Sequence, residues 1–190
     1  MTRFYVPDSV QHHTKTLSPR ELFTAVPAFH NLSKLYARPG FLLRRAHQIS
    51  AAVFEDECRS VGLTAAQFGV LSVLRAQPGM DQSSLARALG FDKVTVLRVL
   101  RGLEGRGLIE RGPAPTSRRN LAISLSEAGL DLIKKAQEPA ELAYGRLMGP
   151  LNTAQRAQLV ELLQLLTEGL EADARAAFVP AAAEAGRALR

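Results

Sequence analysis

The chain carries one cysteine, Cys58, in 190 residues. That excludes an intrachain disulfide framework and suits a reducing compartment. No stretch approaches the roughly 20 apolar residues that span a bilayer. Arg3, Pro7 and Asp8 interrupt the place where a secretory signal needs an unbroken apolar run, so a cytoplasmic protein with no membrane partner is expected. His12, His13, His30 and His47 are scattered and lack accompanying cysteine or spaced carboxylates, so no metal site is expected. Neither a nucleophile paired with a base nor a phosphate-cradling glycine loop is present. An enzyme reading therefore has no positive support, and no cofactor is implied.

What the chain does have is helix-starting chemistry and basic charge. With 46% hydrophobic residues it can bury one substantial core, and its length favours one domain over two independent ones. Lysine and arginine number 24 against 18 acids, a net charge of +6 that favours polyanionic partners without identifying one.

Helix starts divide the chain. Ser18-Pro19-Arg20-Glu21 reads as a capping box flanked by Leu17 and Leu22, beginning a short helix within an N-terminal extension. After the break at Arg38-Pro39-Gly40, Leu42, Ala46, Ile49 and Val53 recur at helical spacing, and Val61-Gly62 can close that helix. Thr64 with Gln67 is a second capping box, stapled by Leu63 and Phe68, and its helix runs to the Gln77-Pro78-Gly79 turn. Asp81 caps a short helix ending at Gly90, and Asp92 caps another that should reach about Gly105. From Leu108 the period becomes two. Leu121, Ile123 and Leu125 mark one strand and Leu108 to Arg111 its partner. Between them, Gly112 to Asn120 with two prolines is expected as a basic hairpin tip, because proline removes ladder donors. Ser126 begins a further helix that Pro139 should kink or interrupt, and Asn152 with Gln155 begins a leucine-dense last one. The alanine-rich stretch after Pro180 has no pattern that assigns it.

Short helix, turn, second helix and basic hairpin make the order of a winged helix-turn-helix in a mainly α protein. Centring one face of the second helix on Val96 places Val99, Leu100 and Leu103 beside it as core. The opposite face carries Val94, Arg98 and Arg101, flanked by Thr95 and Leu97. Arginine can donate two hydrogen bonds to guanine in the major groove, and aliphatic or threonine methyls can touch the thymine methyl. Lys93 begins this helix, and Ser83 and Ser84 on the preceding one are assigned to the same interface. The bland alternative, a solvated face bearing two arginines, is weakened by context: between Ser83 and Arg119 stand eight basic residues against three acidic ones, so nearly the whole net charge lies there.

The residues Leu63-Thr64-Ala65-Ala66-Gln67-Phe68, Ser84 to Lys93, Leu103 to Arg111 and Leu125-Ser126-Glu127-Ala128-Gly129 resemble the MarR family of bacterial regulators, in continuous order over about residues 40 to 170. The resemblance implies a homodimer with interlocked N- and C-terminal helices, placing two recognition helices in successive major grooves of double-stranded operator DNA. It implies repression relieved by a small aromatic acid, and a wing reaching the flanking minor groove. Family wings usually carry an aspartate two residues before a minor-groove arginine; here those positions are Ser117 and Arg119. Serine cannot make the charged contact that holds the arginine, so Arg118 and Arg119 have phosphate contact as an alternative that needs less exact geometry.

On this reading, residues 1–39 are an N-terminal extension, 40–62 and 126–178 the helical dimerisation region, 63–125 the winged helix-turn-helix and 179–190 a tail. Tyr36, Arg38, Phe41, Arg44 and His47 cluster rings and cations near a helix start, and with Phe68 they form the candidate site for a flat aromatic carboxylic acid. The alternative is a helix start packed by Tyr36 and Phe41 with ordinary surface cations. Within the family, this stretch also resembles regulators of aromatic and nicotinate-type acid catabolism. Two other functions compete: a winged-helix scaffold for protein interaction, which does not explain Arg98 and Arg101 opposite the core, and redox sensing through Cys58, disfavoured by Glu55, Asp56 and Glu57.

Overall fold

A computed structural model describes residues 32–114 and 117–181, with residues 114 and 117–120 described by backbone alone. The helix start at Ser18 therefore lies outside the described residues. The chain divides into two units at Arg44. The described part of the first contains α1 (Leu32–Tyr36) and the beginning of α2 (Pro39–Glu57), which starts with proline at its first position. Within this unit the Tyr36 and Phe41 rings pack with centroids 5.2 Å apart.

The second unit holds the rest of α2 and a 3-10 turn over Cys58–Ser60, followed by α3 (Ala65–Ala76), α4 (Gln82–Leu89) and α5 (Lys93–Gly105). Then come β1 (Ile109–Ala114), β2 (Ser117–Leu125), α6 (Glu127–Lys135), α7 (Gln137–Met148) and α8 (Thr153–Gly169). The sequence-read caps are present. Thr64 and Asn152 form complete capping boxes with Gln67 and Gln155. Asp81, Asp92 and Ser126 accept the backbone N–H three residues on. Each satisfies a donor that the first helical turn leaves without an intrahelical partner. Gly90 closes α4 in the left-handed region at φ 62°. Pro139 sits in the first turn of α7, and the chain breaks between α6 and α7 at Ala136.

One core unites α3, α4, α5, the hairpin and α6: Val70, Leu71, Leu74, Leu85, Leu100, Leu103 and Ile123 are fully buried, with Val96 and Ile133 nearly so. The hairpin is anchored to the turn after α3, where Ile123 N–H donates to Met80 O at 2.9 Å and Gly79 N–H donates to Ile123 O at 3.0 Å. At the hairpin's far side Ser126 N–H donates to Leu108 O (3.1 Å) and Ser126 Oγ donates to Gly107 O (2.6 Å). This brings α6 so close that a Cβ on Gly129 would lie 2.0 Å from Leu108 O. The Leu-Ser-Glu-Ala-Gly run thus has a packing reason: serine caps the helix and only glycine fits behind it.

Three expectations change. The helix after Pro39 ends at Glu57, its last turn tightened to 3-10 before Gly62 turns the chain at φ 60°. The hairpin is longer than read: Gly112 pairs with Ala122 and Pro113 with Leu121, with an irregularity between Pro113 and Ala114. Proline is tolerated because both strands of a two-stranded sheet are edges, so its missing N–H can face away from the partner. Finally, helix does not persist to residue 178. It ends at Gly169, Glu171–Asp173 form a 3-10 turn, and the Glu171 carboxylate takes the Phe178 N–H at 2.7 Å.

Candidate nucleic-acid interface

The Asp92 cap sets the first turn of α5. Its carboxylate accepts Thr95 N–H at 2.7 Å and the Thr95 hydroxyl at 3.0 Å. These bonds, the backbone one foremost, hold Asp92 below the usual carboxylate range. From that start, Val96, Val99, Leu100 and Leu103 fall into the core. Lys93, Val94, Arg98 and Arg101 remain exposed, Val94 at 77%, while Thr95 and Leu97 are half-buried. The helix is thus a buried stripe backed by a cationic and aliphatic face, the arrangement that its periodicity implied.

On α4, Ser83 is exposed and Ser84 half-buried. Asp81 accepts Ser84 N–H at 2.9 Å and the Ser84 hydroxyl at 3.1 Å, and is held below its ordinary value chiefly by the Ser84 backbone bond. The Ser84 oxygen also accepts Arg87 Nη2 at 3.1 Å. Its proton is therefore engaged within the helix-turn-helix, and Ser83 is the freer hydroxyl. Arg118 and Arg119 lie on β2, with side chains outside the described residues.

Two further cations of the basic segment work internally. Arg106 Nη1 donates to Gly62 O at 2.7 Å, tying the end of α5 to the turn that leaves α2. Arg111 pairs with Glu104 at 2.9 Å, fastening β1 to α5. Charge counting along the sequence could not separate these from Arg98 and Arg101, because neither partnership follows helical or strand spacing.

The candidate ligand residues fall in both units. In the first unit the Arg44 guanidinium lies 5.0 Å from the Phe41 ring centroid, beside the Tyr36–Phe41 pair. Arg38 is half-buried and His47 exposed on α2. Phe68, in the second unit, pairs with Phe54 at 5.4 Å, and both line a cavity of about 300 Å³ with Ser50, Ala140, Glu141, Ala143, Tyr144 and Leu147. Phe54 and Tyr144 were not singled out in the sequence. Phe54 follows Val53 on an apolar face and had a weak signal, whereas nothing local connects Tyr144 to Phe68. Cys58 is completely buried, and burial first, then Glu57, pushes its thiol up. Burial thus outranks the neighbouring charge in disfavouring thiolate chemistry. On the surface, Arg146 reaches Asp56 at 2.6 Å and Glu57 at 2.8 Å, and Asp56 also pairs with Arg59.

Two short helices joined by a left-handed glycine, the second with a cationic outer face and followed by a hairpin, define a winged helix-turn-helix of the DNA-binding type. The MarR family pattern matches residues 63–121, the helix-turn-helix and most of the wing. The HTH-type transcriptional repressor NicR of Pseudomonas putida is 32% identical over 132 residues, 70% of this chain and 84% of that repressor. Among solved structures, Bordetella bronchiseptica BpsR, described in terms of regulation of its DNA binding by 6-hydroxynicotinic acid, is 33% identical with a TM-score of 0.66 over 70% of this chain and 95% of that one. The transcriptional repressor CouR bound to a 23-mer DNA duplex is 30% identical with a TM-score of 0.66, over 74% of this chain and 99% of that one. The chain belongs to the MarR family of transcriptional regulators. No helix among the described residues is long and apolar enough to cross a membrane.

Proposed function

We propose that this protein is a cytoplasmic, non-enzymatic repressor that binds a near-palindromic operator as a homodimer and is released by a small aromatic carboxylic acid. The observation that carries the DNA-binding reading is α5, with four core residues on one face and Lys93, Val94, Arg98 and Arg101 exposed on the other. Arg98 and Arg101 read base edges; Lys93, Ser83, Arg118 and Arg119 meet phosphate or the flanking minor groove, and Val94, Thr95 and Leu97 supply apolar contacts. Residues 63–125 form the DNA-binding region, and α2 with α6 to α8 forms the dimerisation region. Arg98→Ala and Arg101→Ala are each expected to weaken specific binding by roughly 1 to 3 kcal/mol with the fold intact. Wild-type affinity in both variants, measured by fluorescence anisotropy on a selected duplex, would overturn the orientation assigned to α5.

The effector reading is supported by the aromatic cavity and by the 6-hydroxynicotinic acid regulation described for BpsR. Phe54, Phe68 and Tyr144 offer apolar walls, while the polar groups of that lining are Ser50, Tyr144 and the acidic Glu141. A ligand carboxylate therefore needs a cation from outside this lining, for which Arg38, Arg44 and His47 are the candidates. Titration of benzoate, salicylate and hydroxylated pyridine carboxylates against a preformed DNA complex tests this reading. Release by one of these acids, weakened in Phe68→Ala and in one of the three cation variants, is the expected result; no release by any acid overturns it.

A further inference from the structure

Beyond α8 the chain returns to the helix-turn-helix. Val179 N–H donates to Arg87 O at 3.0 Å, an oxygen that also accepts Gly90 N–H at the end of α4. A Cβ built on Gly90 would lie 3.9 Å from Phe178 Cδ2, so the phenylalanine ring lies over the bare end of the helix. Together with the Phe178 bond to Glu171, these contacts carry Arg175 to a notch of about 430 Å³ whose rim includes Ser83, Arg87, Asp92 and Lys93. Three cations from three separate segments thus border one notch, and all three are exposed. Asp92 is already engaged as the α5 cap, and among the described residues neither Lys93 nor Arg175 pairs with a carboxylate. Like charges converging on one concavity repel each other, and an anion between them reverses the sign of that interaction.

We propose that this notch seats a backbone phosphate of the operator, so that Arg175, from outside the winged helix, extends the DNA interface. The inference rests on the DNA-binding reading above and adds to it a contact that no helix-turn-helix residue supplies. A phosphate contact carries no sequence information, so Arg175 contributes equally to specific and non-specific binding. The Val179 bond holds the segment and thereby positions Arg175.

The experiment uses the full chain, with a duplex selected by the parent protein from a random pool and an unselected duplex of equal length, over a salt series from 0.05 to 0.5 M. Arg175→Ala should lower the slope of log affinity against log salt by about 0.9 per protomer, about 1.8 for a dimer on both half-sites. That corresponds to a loss of about thirty-fold at 0.15 M salt and about three-fold at 0.5 M, on both duplexes alike. Arg175→Lys should retain the slope, and Val179→Pro, which removes the N–H, should lower it in the same direction. An unchanged slope in Arg175→Ala, while Arg98→Ala still weakens binding to the selected duplex, overturns this contact and leaves the DNA-binding reading standing. A parent protein that binds neither duplex overturns both.

Discussion

The winged helix and the last helix are both leucine-rich, and they treat their leucines oppositely. In α3 and α5, Leu71, Leu74, Leu100 and Leu103 are fully buried. In α8, Leu162 is 56% and Leu165 61% exposed, and the helix has no buried residue. The first region is complete in one copy of the chain, since a single core unites its helices and hairpin. The second leaves Leu159, Leu162, Leu163, Leu165, Leu166 and Leu170 exposed, a row of apolar side chains of the kind a partner covers. The exposed Leu42 and Ile49 on α2 have the same character. The two regions therefore depend on different things: the winged helix on its own packing, and α8 on the second copy proposed above.

The largest expected effect breaks the self-sufficient side. Gly129→Val drives a Cβ into the Leu108 carbonyl, a backbone atom that cannot swing away, and should cost about 4 kcal/mol or more, read as loss of cooperative urea unfolding. Next, Leu100→Ala should destabilise by about 2 to 5 kcal/mol at any protein concentration. The double variant Leu162→Ala, Leu165→Ala should instead raise the dimer dissociation constant in sedimentation equilibrium, with a stability loss that depends on concentration. Equal, concentration-independent losses in both would erase the comparison. A smaller effect is expected for Ser126→Ala, about 1 kcal/mol by thermal unfolding, from loss of the α6 cap and of the bond to Gly107.

The smallest effect is electrostatic. Hydrogen bonds hold Asp81 and Asp92 below their ordinary range, and for Asp56 the Arg146 bond and charge do so. A carboxylate whose folded pKa is depressed stabilises the fold above its unfolded value, about 3.9, and loses that contribution as pH falls through the lower folded value. Melting temperature should therefore fall below about pH 4. Asp81→Asn with Asp92→Asn keeps both caps, because asparagine also accepts, and should flatten that decline. A decline unchanged in this double variant would place the acid sensitivity elsewhere.

Local chemistry made much of this legible. A cap is decided within four residues, so Thr64, Asp81, Asp92, Ser126 and Asn152 could be read from type and spacing alone. The face of α5 followed from a period of 3.6 once Val96 was taken as core. The pairing of Gly112 and Pro113 is not legible locally, because the rule against proline describes central strands, and whether a strand is central depends on how many strands the sheet acquires. The turn beyond Gly169 has no local signal, because the partner of Phe178 N–H, the Glu171 carboxylate, lies seven residues back and obeys no helical pattern.

By itself, then, the sequence determined where the side-chain-capped helices begin, which side of the recognition helix is buried, and that its other side is cationic, since all three follow from intervals of four residues or fewer. Only the tertiary structure decided which cations are available. Arg106 is taken by a carbonyl 44 residues away, Arg111 by a glutamate across an element boundary, and Arg175 is delivered to α4 by a backbone bond from a segment that lies far along the chain. The contacts of Arg106 and Arg175 require closure of long loops, whose ends meet only because the whole core forms, and that of Arg111 crosses from helix to strand, so no single local spacing encodes them.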